Sequence, residues 1–137
     1  MSIFQLGRNG ILLIAGLLTC TMISAAIAPA AALRSMYGED IALTPLMEII
    51  VRNWGALITL MGLLLVVAAF YPPVRTTAMV IAGISKVVFI GLTLWLGKAY
   101  LSQQVGVAII IDSIMIGLFV VCLLFVRDTP RAPDIAS

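Results

Sequence analysis

TAMVIAGISKVVFIGLTLWL, residues 77 to 96, is the stretch that decides the fold class. A helix needs about 20 predominantly apolar residues to cross the hydrocarbon core of a bilayer, and this run supplies them. Lys86 stands close to its midpoint. A charge at that depth costs about 3 kcal/mol on insertion scales, so it calls for a partner or a purpose.

Three more runs of this kind flank it, and together they predict helices over about 10–30, 46–70, 77–96 and 105–126. One such run could be a soluble core helix, but four in succession read as membrane spans. The whole chain agrees. Of its 137 residues 63% are hydrophobic and 10% charged, with a mean hydropathy of +1.21. Soluble domains hold roughly 45–50% apolar and about 25% charged residues. An alternating strand pattern is absent, which excludes a membrane β-barrel. The expectation is an all-α, single-domain, integral membrane four-helix bundle with up-down topology, since short connections favour antiparallel neighbours.

Local signals place the boundaries. Pro29 ends the strongest part of the first run, and Ala30–Leu33 read as an irregular extension. Arg34 to Leu46 reads as the one substantial loop, with Tyr37-Gly38-Glu39-Asp40 as a turn. Thr44-Pro45 starts the second helix, with Thr as N-cap and Pro at the first helical position. Tyr71-Pro72-Pro73 closes that helix, and Thr76 or Thr77 is the expected cap of the third. The tail 127–137 reads as flexible. Arg8 followed by Ile11–Ile23 and Ala26-Ile27-Ala28 resembles a secretory signal, but the segment is read here as a retained first membrane helix.

Orientation follows from the basic residues. Arg8, Arg75, Arg127 and Arg131 fall on one side of the four spans. Arg34, Arg52 and Lys98 fall on the other, among Glu39, Asp40 and Glu48. The positive-inside rule then puts both termini in the cytoplasm. Trp54, Tyr71, Trp95 and Tyr100 lie near helix ends, as interfacial aromatics do.

Three charges make the candidate intramembrane site. Counting from the run midpoints at about 1.5 Å per residue, Arg52 lies roughly 12 Å to the non-cytoplasmic side of centre and Asp112 about 6 Å, with Lys86 near zero. Asp112 thus falls between the two bases in depth, and a lysine stem can bridge an offset of that size. Glu48, one turn before Arg52, is an i,i+4 partner for it. Asn53, Thr59 and Ser113 are the polar residues expected around the three charges. Gly55, Gly62, Gly83 and Gly117 are the positions expected to let helices approach closely. A static Lys86–Asp112 pair that sets helix register is one reading, and a polar cavity is the other.

Other chemistry lacks support. The chain has no histidine, no phosphate-binding glycine loop, no nucleophile elbow and no metal-ligand set. Cys20 and Cys122 sit in separate runs without Cys-x-x-Cys spacing and read as small buried hydrophobes. A net charge of +2 without a basic cluster gives no footprint for nucleic acid. No cofactor and no metal are expected, and no catalytic residue is assigned.

The segment Gly55-Ala56-Leu57-Ile58-Thr59-Leu60-Met61-Gly62-Leu63, with Arg75 and Ala78 at the next helix start, resembles the central segment of DoxX-like proteins. The resemblance covers roughly a third of the chain. It implies a small four-helix bacterial inner-membrane protein, sometimes an accessory subunit of a redox complex. The functional expectation is a non-enzymatic accessory or interaction subunit, partnered by the lipid bilayer and by another membrane protein or a second copy. The alternative is a small transporter or binder of a lipophilic or anionic molecule that uses Arg52, Lys86 and Asp112.

Overall fold

The computed structural model describes residues 3–125, and within them every regular element is helical. We number the α-helices in chain order: α1 Ile3–Cys20, α2 Ile23–Ile27, α3 Pro29–Tyr37, α4 Pro45–Phe70, α5 Arg75–Leu96 and α6 Gln104–Phe125. Single 3₁₀ turns, Pro72–Val74 and Lys98–Tyr100, precede and follow α5. Among the described residues, four helical segments are long and apolar enough to cross a membrane: Ile3–Ile27, Pro45–Phe70, Pro72–Leu96 and Gln104–Phe125. They suggest a multi-pass membrane protein. The expected flexible tail, with Arg127 and Arg131, lies outside the described residues.

The first span departs most from expectation. It starts at Ile3 rather than near residue 10, and it is broken twice. Thr19 Oγ1 donates to the Ala15 carbonyl at 2.7 Å, and Thr21 Oγ1 donates to the Leu18 carbonyl at 2.6 Å. Such back-bonding bends helices. The main chain tightens there to i−3 bonds, from Thr21 N to Leu18 O and from Met22 N to Thr19 O. The second break comes at Ala28, whose φ of −132° and ψ of 72° are not helical. The residue before a proline is driven out of the helical region. Pro29 then opens a new helix instead of only ending the old one. The expected loop from Arg34 therefore begins later, because α3 continues to Tyr37. Gly38, at φ 74°, caps it in the left-handed conformation, donating its N–H to the Arg34 carbonyl at 2.8 Å.

α4 starts as its sequence indicates, with Thr44 Oγ1 accepting from Met47 N. α5 does not. It begins at Arg75, with Val74 at the N-cap position and no side-chain cap, so neither Thr76 nor Thr77 serves. The reason lies in the preceding turn. In a continuous helix the carbonyls of Ala68 and Ala69 would accept from residues 72 and 73, which are both proline and have no N–H. Arg75 supplies the missing donors: Nε binds the Ala68 carbonyl at 2.8 Å and Nη2 the Ala69 carbonyl at 3.0 Å. The side chain is buried in doing so.

One half of the molecule is closely packed. Its core joins Leu12 and Ala15 of α1, Leu65, Ala68 and Ala69 of α4, Ala78, Met79 and Ala82 of α5, and Met115, Phe119 and Cys122 of α6. Arg8 is buried at the same end. Small residues dominate here, which brings backbones together where apolar burial gives no drive between helices in lipid. α1 and α4 approach closely. A Cβ on Gly62 would meet Cys20 N and the Gly16 carbonyl at 2.7 Å, and one on Gly16 would meet the Gly62 carbonyl at 2.7 Å. Gly55 is equally tight against α2, 2.6 Å from Ala26 N. Gly83 and Gly117, expected at helix contacts, have nothing within 4 Å of such a Cβ. They sit on open faces because α5 and α6 meet through other stripes. Gly62→Ala should therefore lower stability by about 1–3 kcal/mol through overpacking. Gly83→Ala and Gly117→Ala should each stay within about 0.5 kcal/mol. Unfolding of the three variants in one detergent checks this ranking.

Candidate functional site

The three candidate charges, Arg52, Lys86 and Asp112, do not form one cluster. Lys86 and Asp112 do meet: Nζ donates to Oδ1 at 2.5 Å, across the α5–α6 contact. Both side chains are largely buried, at 10% and 17% exposure. In this setting each charge depends on the other, because a lone buried ion keeps its desolvation cost without compensation.

Arg52 is committed elsewhere. Its Nε and Nη2 donate to Glu48 Oε1 at 3.0 and 2.6 Å, the i,i+4 pairing its sequence suggested. Its Nη1 donates to the carbonyls of Ala26 and Ile27 at 2.6 and 2.9 Å. Those carbonyls belong to the last turn of α2, where the break at Ala28–Pro29 leaves acceptors unpaired. Arg52 thus holds the broken first span against α4 and does not reach Asp112. The break carries the correction. Depth counting placed Arg52 outermost of the three charges but could not show acceptors arriving from α2.

The polar residues expected around the charges also separate. Thr59 donates to the Gly55 carbonyl of its own helix at 2.7 Å, and Cys20 Sγ contacts the Thr59 carbonyl at 3.7 Å. Ser113, next to Asp112 in sequence, donates to the Ile109 carbonyl at 2.7 Å and is exposed. Asn53 is exposed. Neither Thr59 nor Ser113 hydrogen-bonds the ion pair.

What surrounds the pair is a cavity of about 80 Å³, with Met22, Met36, Ser85 and Ala108 in its walls and Lys86 and Asp112 at its polar side. Trp54, Ile58 and Phe89 complete the lining. Along with Ser85, these three also line a much larger groove of about 600 Å³ between α4 and α5. The two spaces are therefore neighbours, with these four side chains forming the wall between them. Leu57, Val88 and Leu92 form the groove's sides and are each about half exposed, so it opens laterally. From Ser85 to Leu96 it follows α5 for about 16 Å at the helical rise.

α3 and the turn after α5 close the far end. Tyr37 and Tyr100 line the groove there and meet edge to face, with ring centroids 5.3 Å apart. Ser35 Oγ donates to Gln104 Oε1 at 2.8 Å, tying α3 to the start of α6. Burial pushes the Tyr37 hydroxyl above its ordinary pKa. Tyr100 is raised first by its hydrogen bond to Glu39 and then by that carboxylate's charge. Both rings therefore stay neutral at physiological pH, and this end of the groove presents uncharged hydroxyls.

Sequence reasoning missed the groove. Its residues on α4, Trp54, Leu57, Ile58 and Met61, follow a 3–4 spacing, but a lipid-facing stripe has the same spacing. The signal that could have found it was Ser85 beside Lys86, a second polar group at the same depth. Among the described residues, no group of three or more His, Cys, Asp and Glu could hold a metal ion. No protein-family model matches the chain, and no curated protein or solved structure matches it.

Proposed function

We propose that this chain is a small bacterial inner-membrane protein, DoxX-like, whose spans alternate up and down with both termini cytoplasmic, and that it binds a lipophilic molecule. The observation that carries the binding role is the α4–α5 groove lying directly against the Lys86–Asp112 cavity, with Trp54, Ile58, Ser85 and Phe89 lining both. A volume of about 300–1,000 Å³, mostly apolar with few polar groups, is what small-molecule sites share. The hydrocarbon part of the ligand lies along α5, and its polar end meets the ion pair. Entry is lateral, from the bilayer, past Leu57 and Leu92.

Ligand binding accounts better than an accessory-subunit role for an apolar groove lying beside a buried ion pair, because docking onto a partner needs neither feature. Arg52 has no part in it, since its donors are used by Glu48 and α2. Native mass spectrometry of protein released from membranes in a mild detergent tests the proposal. A non-covalent lipophilic adduct is expected on the wild type and lost from Ser85→Phe, which fills the shared wall. Equal adducts on both, or none on either, would count against the groove.

A further inference from the structure

The charge balance in the cavity beside the groove restricts the ligand's headgroup, and the restriction rests on the binding role proposed above. Lys86 and Asp112 present one cation and one anion only 2.5 Å apart. Any headgroup that enters the cavity of about 80 Å³ lies close to both. An anionic head gains from the ammonium but is set against the carboxylate, and a cationic head meets the mirror-image conflict. Like charges brought together away from water are strongly disfavoured. A hydroxyl meets neither conflict, because it has one donor and two acceptor lone pairs. It can accept from Lys86 Nζ and donate to the Asp112 carboxylate at once.

The rest of the lining fits the same demand. Met22 and Met36 are apolar, Trp54 and Phe89 are aromatic, and Ser85 adds an uncharged hydroxyl. At the other end Tyr37 and Tyr100 are neutral too. The groove between them suits a single hydrocarbon body, about 16 Å long by the helical rise.

We propose that the site selects a neutral lipophile bearing a hydroxyl, of the class of long-chain alcohols, and discriminates against the carboxylate of the same chain. Selection resides in Lys86 and Asp112 acting as a donor–acceptor couple, and the groove supplies affinity without regard to charge.

Trp54 reports on the groove directly. The other tryptophan, Trp95, is 77% exposed and does not line it, so Trp95→Phe leaves a single reporter. The Trp95→Phe protein is reconstituted in phosphatidylcholine vesicles, which avoids hydroxyl-rich detergents. It is titrated with a chain-brominated alcohol and with the matching brominated fatty acid at alkaline pH, where the acid is ionised. Concentrations are expressed as membrane mole fraction. Half-saturation of Trp54 quenching by the alcohol is expected at least about tenfold below that by the carboxylate. Asp112→Asn removes the negative partner and leaves Lys86, so the preference should reverse. Lys86→Met/Asp112→Leu, which removes both charges, should abolish discrimination while quenching persists. Equal quenching by both probes in the wild type, or a preference unchanged in these variants, would overturn the headgroup assignment. Absence of saturable quenching by either probe would overturn the groove reading itself.

Discussion

Replacing Lys86 with Met, or Asp112 with Asn, is expected to lower stability by about 3 kcal/mol, the cost of a buried charge that has lost its partner. The double change Lys86→Met/Asp112→Leu should recover most of that loss, because an apolar pair of similar volume carries no desolvation cost. The 2.5 Å contact and the low exposure of both side chains underlie the size of the effect. An exposed pair such as Arg34–Asp40, with its side chains 70% and 75% exposed, should contribute little by comparison. Thermal unfolding of Lys86→Met, Asp112→Leu and the double Lys86→Met/Asp112→Leu, in one detergent, gives the coupling energy. Additive losses would mean that the two charges are independent.

The second large effect is expected at Arg75. Arg75→Leu deprives the Ala68 and Ala69 carbonyls of their donors and should cost about 3 kcal/mol, since hydrogen bonds to charged groups contribute about 1.5–3 each. Arg75→Lys should recover at most half, because a point-charge ammonium cannot match the two-donor fork. A stronger test uses the prolines. In a Pro72→Ala/Pro73→Ala background the main chain regains two N–H groups, and the cost of Arg75→Leu should fall. A cost unchanged by restoring those groups would show that Arg75 acts through other contacts.

Arg75 also shows how much was legible. The four apolar runs could be read directly, since length and hydropathy are local properties, and so could the Thr44-Pro45 start and the Glu48–Arg52 pair. The Lys86–Asp112 meeting was accessible from depth counting, because rise per residue is nearly constant. Arg75 was read as an orientation charge and as part of the DoxX-like resemblance, yet its structural role was written in the i−4 arithmetic of Pro72 and Pro73. What the sequence could not show is what arrives from elsewhere in the fold. Arg52 was diverted by carbonyls that appear only once α2 ends at Ile27, a break seeded by Pro29. Gly83 and Gly117 resemble Gly55 and Gly62 in composition and differ only in which face meets a neighbour.

The groove has a related origin. Close packing at one end, through Gly16, Gly62 and the alanines of the core, draws α1 and α4 together. Toward the other end, α4 and α5 carry Trp54, Phe89 and leucines where the core has alanine. Bulky side chains hold the two backbones apart there, and the lateral opening follows. The buried ion pair lies at the join between these halves, where it can serve both register and recognition.

The most direct test of the groove is saturable quenching of Trp54 by a chain-brominated long-chain alcohol in Trp95→Phe vesicles, with and without Ser85→Phe. The account predicts saturation at low membrane mole fraction in the first protein and only weak, linear quenching when Ser85→Phe fills the shared wall. Identical linear quenching in both would contradict it, because Trp54 would then be meeting bulk lipid and not an occupied site.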